Sequence, residues 1–292
     1  MRNPISRRRF LAASSLAIAS PALAMRNQFR LQSGGAFAPI REFNVILSAG
    51  QSNCVGTSTD GTTLTSAVND PWISFNYLAG TWPTGWVYAD SGFPVGMEFD
   101  SLGSRETFSS APGFGGFGPE RGFARTATLQ NIAVIKFAVN GTSIGATWKK
   151  TGTWNPAYYC MLDHFRRGLA ELRSNGNTAT VRAMIWTQGE SDAGFEVHAT
   201  PYEANMQEFA TNVRADLSEG TFPWVAMRLA SWLDAPYLST VRAAQENLVG
   251  VIPSFGLADA DDLAHQTDNV HLTSASKEAL GIRMHTKWLE IQ

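Results

Sequence analysis

Cysteine is scarce in this chain. Its 292 residues carry two, Cys54 and Cys160. Two thiols cannot build the four-ligand zinc site of a Cys-rich module. They are expected as buried free thiols, with a single bridge as the alternative. Charge of one sign is also missing: the formal net charge is −2, so there is no basic field of the kind that draws nucleic acid. Long apolar runs are absent. The longest near the N-terminus, Ala12 to Ala19, is too short to hold a stable anchor in a bilayer. No internal repeat and no linker divides the second half of the chain, and neither a metal nor a cofactor is implied.

The hydrophobic content of 44% supports a sizeable core and excludes a disordered chain. Nine Trp and 17 Phe are many. Most such rings belong to cores, although sugar-binding clefts also use exposed ones as flat platforms.

The first 24 residues stand apart. Ser6-Arg7-Arg8-Arg9-Phe10-Leu11, the weak apolar run and Ala22-Leu23-Ala24 have the layout of an export signal with a small-x-small cleavage site. The arginine pair before Phe-Leu gives it a twin-arginine character. A disordered basic arm is the alternative. Removing residues 1–24 takes away Arg2, Arg7, Arg8 and Arg9 and no acid, so the formal charge moves from −2 to −6. A periplasmic or secreted location is therefore expected. Residues 25–42 read as a leader, punctuated by Ser33-Gly34-Gly35.

From residue 43 the pattern is that of an α/β domain. Phe43 to Ala49 is a short, β-branched apolar run. An irregular stretch follows from about 57 to 118, rich in Gly, Pro, Ser and aromatics, and is expected to contain short strands or turns. Trp72, Trp82, Trp86 and Phe93 within it are candidates to wall a cleft or to cover the scaffold. Strands are predicted at 132–138, 181–186, 224–229 and 254–258. Helices are predicted from Pro119 to about Gln130, Tyr158 to Arg173, Thr200 to about Leu217, Leu238 to Val249, and from Thr273 or Ser274 to about Leu289. Alternating strands and helices predict a three-layer αβα fold around a parallel sheet of about five strands. In such sheets the site lies at the carboxyl ends of the strands.

Chemistry collects at those ends. Gly50-Gln51-Ser52-Asn53 follows the first strand, and Asp268-Asn269-Val270-His271 precedes the last helix. A serine hydroxyl needs an imidazole to take its proton, and the imidazole needs an orienting acid. Ser52, His271 and Asp268 supply the three parts. Glu190 and Asp192 are rival acids, although acidic groups near strand ends often serve only backbone N–H groups. His164, His198, His265 and His285 lack a comparable context, and His265 is expected to be a solvated loop residue.

Three blocks carry a family resemblance: Gly50-Gln51-Ser52-Asn53, Trp186-Thr187-Gln188-Gly189-Glu190-Ser191-Asp192, and Asp268-Asn269-Val270-His271-Leu272. Together, and in this order, they resemble the SGNH hydrolase superfamily, in the branch of carbohydrate acetylesterases that includes sialate O-acetylesterase and family 6 acetylxylan esterases. The resemblance runs from about Phe43 to the C-terminus. It implies a serine esterase acting on an acetylated carbohydrate. A non-catalytic carbohydrate-binding protein on the same scaffold and a lipid esterase of the superfamily are the alternatives.

An oxyanion site is required, and each donor in it is worth roughly 3–4 kcal/mol. The candidates are the N–H groups of Ser52 and Gly141 and the side-chain amide of Gln188, where the acetylesterase branch also carries Gln. Read alone, Gly141 is a turn glycine and Gln188 a loop hydrogen-bonder. Gln51, Asn53 and Trp148 are candidate substrate contacts. Gly118-Pro119-Glu120 matches a further short family element, in which Glu120 is read as structural, favourable to the helix dipole. Cys54 and Asn140 depart from the family pattern, which often has Met and Gly at these places. Neither departure removes a catalytic atom.

Overall fold

A computed structural model describes residues 40–58, 73–80, 100–101, 117–151, 156–174 and 176–292. The predicted export signal, most of the leader, and Trp72, Trp82, Trp86 and Phe93 lie outside the described residues.

Strand β1 (Glu42–Gly50) runs into a one-turn helix, α1 (Ser52–Val55). Strands β2 (Ile73–Gly80) and β3 (Asp100–Ser101) follow, then α2 (Glu120–Thr126) and β4 (Ile132–Val139). Next come α3 (Pro156–Arg173), β5 (Thr178–Thr187) and α4 (Tyr202–Leu217). The chain closes with β6 (Trp224–Met227), α5 (Leu238–Asn247), β7 (Phe255–Ala258) and α6 (Ser274–Ile291). The five predicted strands are all present and form a continuous parallel sheet in the order β4-β1-β5-β6-β7.

Two more strands extend it. β2 lies parallel to β4, and β3 pairs antiparallel with β2, giving seven strands in one sheet among the described residues. Both come from the stretch read as irregular. Ile73–Gly80 mixes Ser74 and Asn76 among its apolar residues, so it lacks the unbroken apolar run of a central strand.

Every residue of β4 is buried, as a central parallel strand requires. Right-handed crossovers place the helices. The connections that step toward β7 carry α3, α4 and α5 on one face. α2, which lies between β3 and β4 in the chain, packs against α6 on the other face. That contact is close: a Cβ on Gly122 would meet Glu278 O at 2.0 Å, and one on Gly281 would meet Pro119 O at 2.0 Å. α2 ends at Thr126, four residues short of the expected Gln130. The last helix is capped by the Thr273 side chain, which accepts from Ser276 N.

The aromatics among the described residues are largely core. Trp148 meets Trp186 edge-on at 5.1 Å between centroids, and Phe209 sits among Trp148, Trp186 and Trp224. Cys54 and Cys160 are free and buried, and burial pushes both thiols up to about 12. Among the described residues, no helix is long and apolar enough to cross a membrane.

Candidate active site

β1 is the strand from which the sheet grows in both directions, so its carboxyl end lies at the topological switch point. Gly50 ends it at φ +151°, and a Cβ there would meet Thr187 O at 2.0 Å. Only glycine lets β1 approach β5 this closely. Gln51 N then donates to Thr187 O at 2.9 Å, and the chain turns into α1 with Ser52 as its first residue. Hydrogen bonds within the turn begin with Cys54 N donating to Gln51 O, downstream of the Ser52 N–H.

His271 and Asp268 meet directly. Asp268 Oδ2 lies 2.7 Å from His271 Nδ1, and its Oδ1 accepts from the backbone N–H groups of Val270 and His271 at 2.9 Å each. An ionised carboxylate only accepts, so Nδ1 carries the proton and Nε2 is the basic nitrogen. Burial pushes the Asp268 pKa up. The two N–H groups and the imidazole outweigh it and hold the carboxyl down at about 2. Asn269 takes φ +54° to close this tight loop.

Asn53 joins the two halves of the site. Its Nδ2 donates to Val270 O at 3.0 Å and its Oδ1 accepts from Leu272 N at 2.9 Å, so the residue after Ser52 grips the backbone on both sides of His271. Nδ2 also donates to Glu190 Oε1 at 2.7 Å. Asn53 is 2% exposed, so it braces the site instead of contacting substrate as expected.

The rival acids have other partners. Glu190 faces Asn53, and its other oxygen, Oε2, has no hydrogen-bond partner among the described residues. Burial raises its pKa, against the lowering effect of the Asn53 hydrogen bond. Asp192 accepts from Ile144 N at 3.1 Å and from Gln188 Nε2, and burial pushes it up to about 7.

The expected oxyanion donors separate. Gly141 is exposed at φ +65°, just past β4, with nothing within 4 Å of a Cβ built on it, so its backbone borders open space. Thr142 anchors the same loop by donating to Val139 O at 2.9 Å. Gln188 is fully buried, and its amide nitrogen faces three protein acceptors: Thr142 O at 2.9 Å, Gln51 Oε1 at 3.2 Å and Asp192 Oδ2. An amide has two hydrogens. Gln188 therefore ties the glycine loop to the serine loop and is not a free donor. Gln51, also buried, completes that tie by accepting from Ser191 N at 3.3 Å.

Trp148 is 0% exposed and donates from Nε1 to Thr142 Oγ1 at 3.0 Å. Its place is the core beneath the loop, not a substrate contact. His265 is half-buried and stacks on Trp232 at 4.0 Å, so it is not simply solvated.

A buried cluster under the serine turn was not expected from the sequence. Glu120 is fully buried, pairs with Lys136 Nζ at 2.7 Å and accepts from Gly118 N at 2.8 Å. It is structural, but through an ion pair and not only through the helix dipole. Lys277 lies in the same region, with its Nζ bonded to Thr57 O and Leu272 O. The one signal for Lys136 was a lysine inside an otherwise apolar strand. Lys277 reads as an ordinary helix residue. No group of three or more His, Cys, Asp or Glu among the described residues could hold a metal ion.

A family model described as carbohydrate esterase, sialic acid-specific acetylesterase, matches residues 42–290. A probable carbohydrate esterase of Arabidopsis thaliana is 33% identical over 110 residues, 37% of this chain and 40% of that protein, so the match spans less than half of the relative's length. Among solved structures, a protein from Arabidopsis thaliana superposes with a TM-score of 0.64 at 22% identity, covering 85% of this chain and 98% of its own. A carbohydrate acetylesterase from Xanthomonas citri gives a TM-score of 0.63 at 20% identity, covering 85% of this chain and 56% of its own. At these identities the two structures speak to the fold.

Proposed function

Starting from the fact that the chain belongs to the sialic acid-specific acetylesterase family of carbohydrate esterases, we propose that it is a serine esterase that removes O-acetyl groups from a carbohydrate, with Ser52 as nucleophile, His271 as base and Asp268 as orienter. The observation that carries this reading is the Asp268–His271 contact of 2.7 Å, held beside the serine turn by Asn53.

Ser52 Oγ attacks the acetyl carbonyl carbon while His271 Nε2 takes its proton. The imidazolium that forms is stabilised by Asp268, which stays ionised because its pKa is held down at about 2. The carbonyl oxygen becomes an oxyanion and accepts from the N–H groups of Ser52 and Gly141. The intermediate collapses with cleavage of the ester C–O bond, and His271 returns the proton to the departing sugar hydroxyl. Water then attacks the acetyl-Ser52 ester, again giving a proton to His271. Acetate leaves, and the proton returns to Ser52 Oγ.

The substrate class is an acetylated polysaccharide or an acetylated sialic acid. Acetate release measured across acetylated xylan, O-acetylated sialic acids and aryl acetates tests this. Turnover of at least one sugar ester, lost in Ser52→Ala, is expected. Absence of release from all of them would overturn it. A rate maximum at long acyl chains in a p-nitrophenyl ester series would favour a lipid esterase.

The Arg7-Arg8 pair, the apolar run and the Ala22-Leu23-Ala24 site support export by a twin-arginine-type signal to the periplasm or the medium. Replacing both Arg7 and Arg8 by Lys should leave the unprocessed chain in the cytoplasm on fractionation. Unchanged export would count against this signal.

A further inference from the structure

Lys277 occupies an unusual position for a lysine. It sits in the first turn of α6, its residue exposure is 0%, and none of the ion pairs among the described residues includes it. A buried ammonium is costly unless hydrogen bonds compensate it. Here the compensation is two backbone carbonyls: Thr57 O at 2.6 Å and Leu272 O at 2.9 Å.

Those two carbonyls belong to the two halves of the site. Thr57 closes the turn that Ser52 opens, and Thr57 N donates back to Ser52 O at 3.0 Å. Leu272 directly follows His271. Its N–H is already held by Asn53 Oδ1 and its carbonyl by Lys277, so the main chain beside the base is gripped from both ends. Nothing in the sequence motifs marks this residue.

We propose that Lys277 is a positioning residue for the esterase reaction, its ammonium fixing the separation of the Ser52 turn from His271 by bridging the carbonyls of Thr57 and Leu272. The proposal rests on the serine-esterase reading above. Ordinary packing would also bury a lysine stem, but it would not make turnover depend on the charge of the head group.

That charge is poised to change. Burial, reinforced by Lys136 on β4, pushes the Lys277 pKa down to about 7, while Glu190 after β5, Glu120 on α2 and Asp268 in the histidine loop pull the other way. Charge-assisted hydrogen bonds are about twice as strong as neutral ones. Above this range the bridge is made by a neutral amine and loosens. Turnover should therefore decline on the alkaline side, with kcat affected and substrate binding largely spared.

The test uses the full chain with p-nitrophenyl acetate, from about pH 6 to 10. Lys277→Met, checked by thermal melting, should lower kcat about tenfold or more with KM within about threefold, and should lack the alkaline inflection of the wild type. Lys277→Gln, which keeps two N–H donors without charge, should fall between the two and also lack the inflection. Wild-type kcat and pH profile in a folded Lys277→Met would overturn the proposal. If neither variant folds, the wild type decides: an alkaline inflection supports the proposal and a flat profile overturns it. Labelling of Ser52 by a fluorophosphonate separates this from the parent reading. If Ser52 is labelled and the variants behave as wild type, only the role of Lys277 fails. If Ser52 is not labelled and Ser52→Ala keeps turnover, the esterase reading itself fails.

Discussion

Asn53→Ala should disable this site without unfolding the protein. The side chain makes three hydrogen bonds: to Val270 O, to Leu272 N and to Glu190 Oε1. Truncation strands the Leu272 N–H, because that hydrogen bond is buried. It also strips Glu190 of its side-chain donor, when Glu190 Oε2 already has no partner among the described residues. A buried polar group left unsatisfied costs about 1–3 kcal/mol, so two give roughly 2–6 kcal/mol, concentrated in the loop that carries His271. Val270 O is partly exposed to water and adds less. Displacing a catalytic group by about an ångström typically costs on the order of a hundredfold in rate. We therefore expect kcat on p-nitrophenyl acetate to fall by about that factor, with KM within a few-fold and a cooperative melt retained. Asn53→Asp should be more destabilising than Asn53→Ala at neutral pH, because it sets a second buried carboxylate against Glu190, and the difference should shrink on acidification. A folded Asn53→Ala with wild-type kcat would refute the bracing role.

Asp268→Asn should cost orders of magnitude in turnover by misdirecting the imidazole tautomer, while Glu190→Gln, which keeps a partner for Asn53, should cost far less; kcat/KM of the two variants checks the order. Asp261 accepts from Arg242, Arg228 and Ser231 N, and the Arg242 hydrogen bonds lead the effects that hold it down at about 2. Its folded pKa lies below the unfolded value, so its stabilisation is present above about pH 4 and is lost as pH falls toward 2. Asp261→Asn should thus lower stability by about 1–3 kcal/mol at neutral pH, and denaturant titrations should show the gap closing in acid. Trp148→Ala should cost about 3–5 kcal/mol of stability, read in the same way, because it empties a fully buried aromatic contact.

The sequence revealed what is local or periodic. Apolar runs such as Phe43–Ala49 marked the central strands, because a parallel sheet covered on both faces leaves no polar alternation. The Asp268–His271 pair was legible because the spacing of three keeps both on one tight loop. What failed to read was direction and depth. Asn53 belongs to the serine block and Trp148 follows the glycine loop, yet both side chains are buried, and nothing in the one-dimensional pattern distinguishes an inward from an outward residue beyond a strand end. Gln188 carried the right residue type, but its amide is occupied by Asp192 of the same block and by Thr142 and Gln51, which arrive from two distant segments. Lys136 and Glu120 are 16 residues apart, and their pairing depends on α2 crossing β4. Lys277 finds Thr57 at a separation of 220 residues, beyond any local signal.

The central claim is that Ser52 is the nucleophile that carries the acetyl group. Incubating the full chain with an aryl acetate, quenching in acid and mapping the adduct by peptide mass spectrometry tests it most directly. The account predicts acetyl on the peptide containing Ser52, lost in Ser52→Ala together with turnover, and accumulating when deacylation is slowed by low pH. An acetyl adduct on another residue, or full turnover by a folded Ser52→Ala, would contradict it.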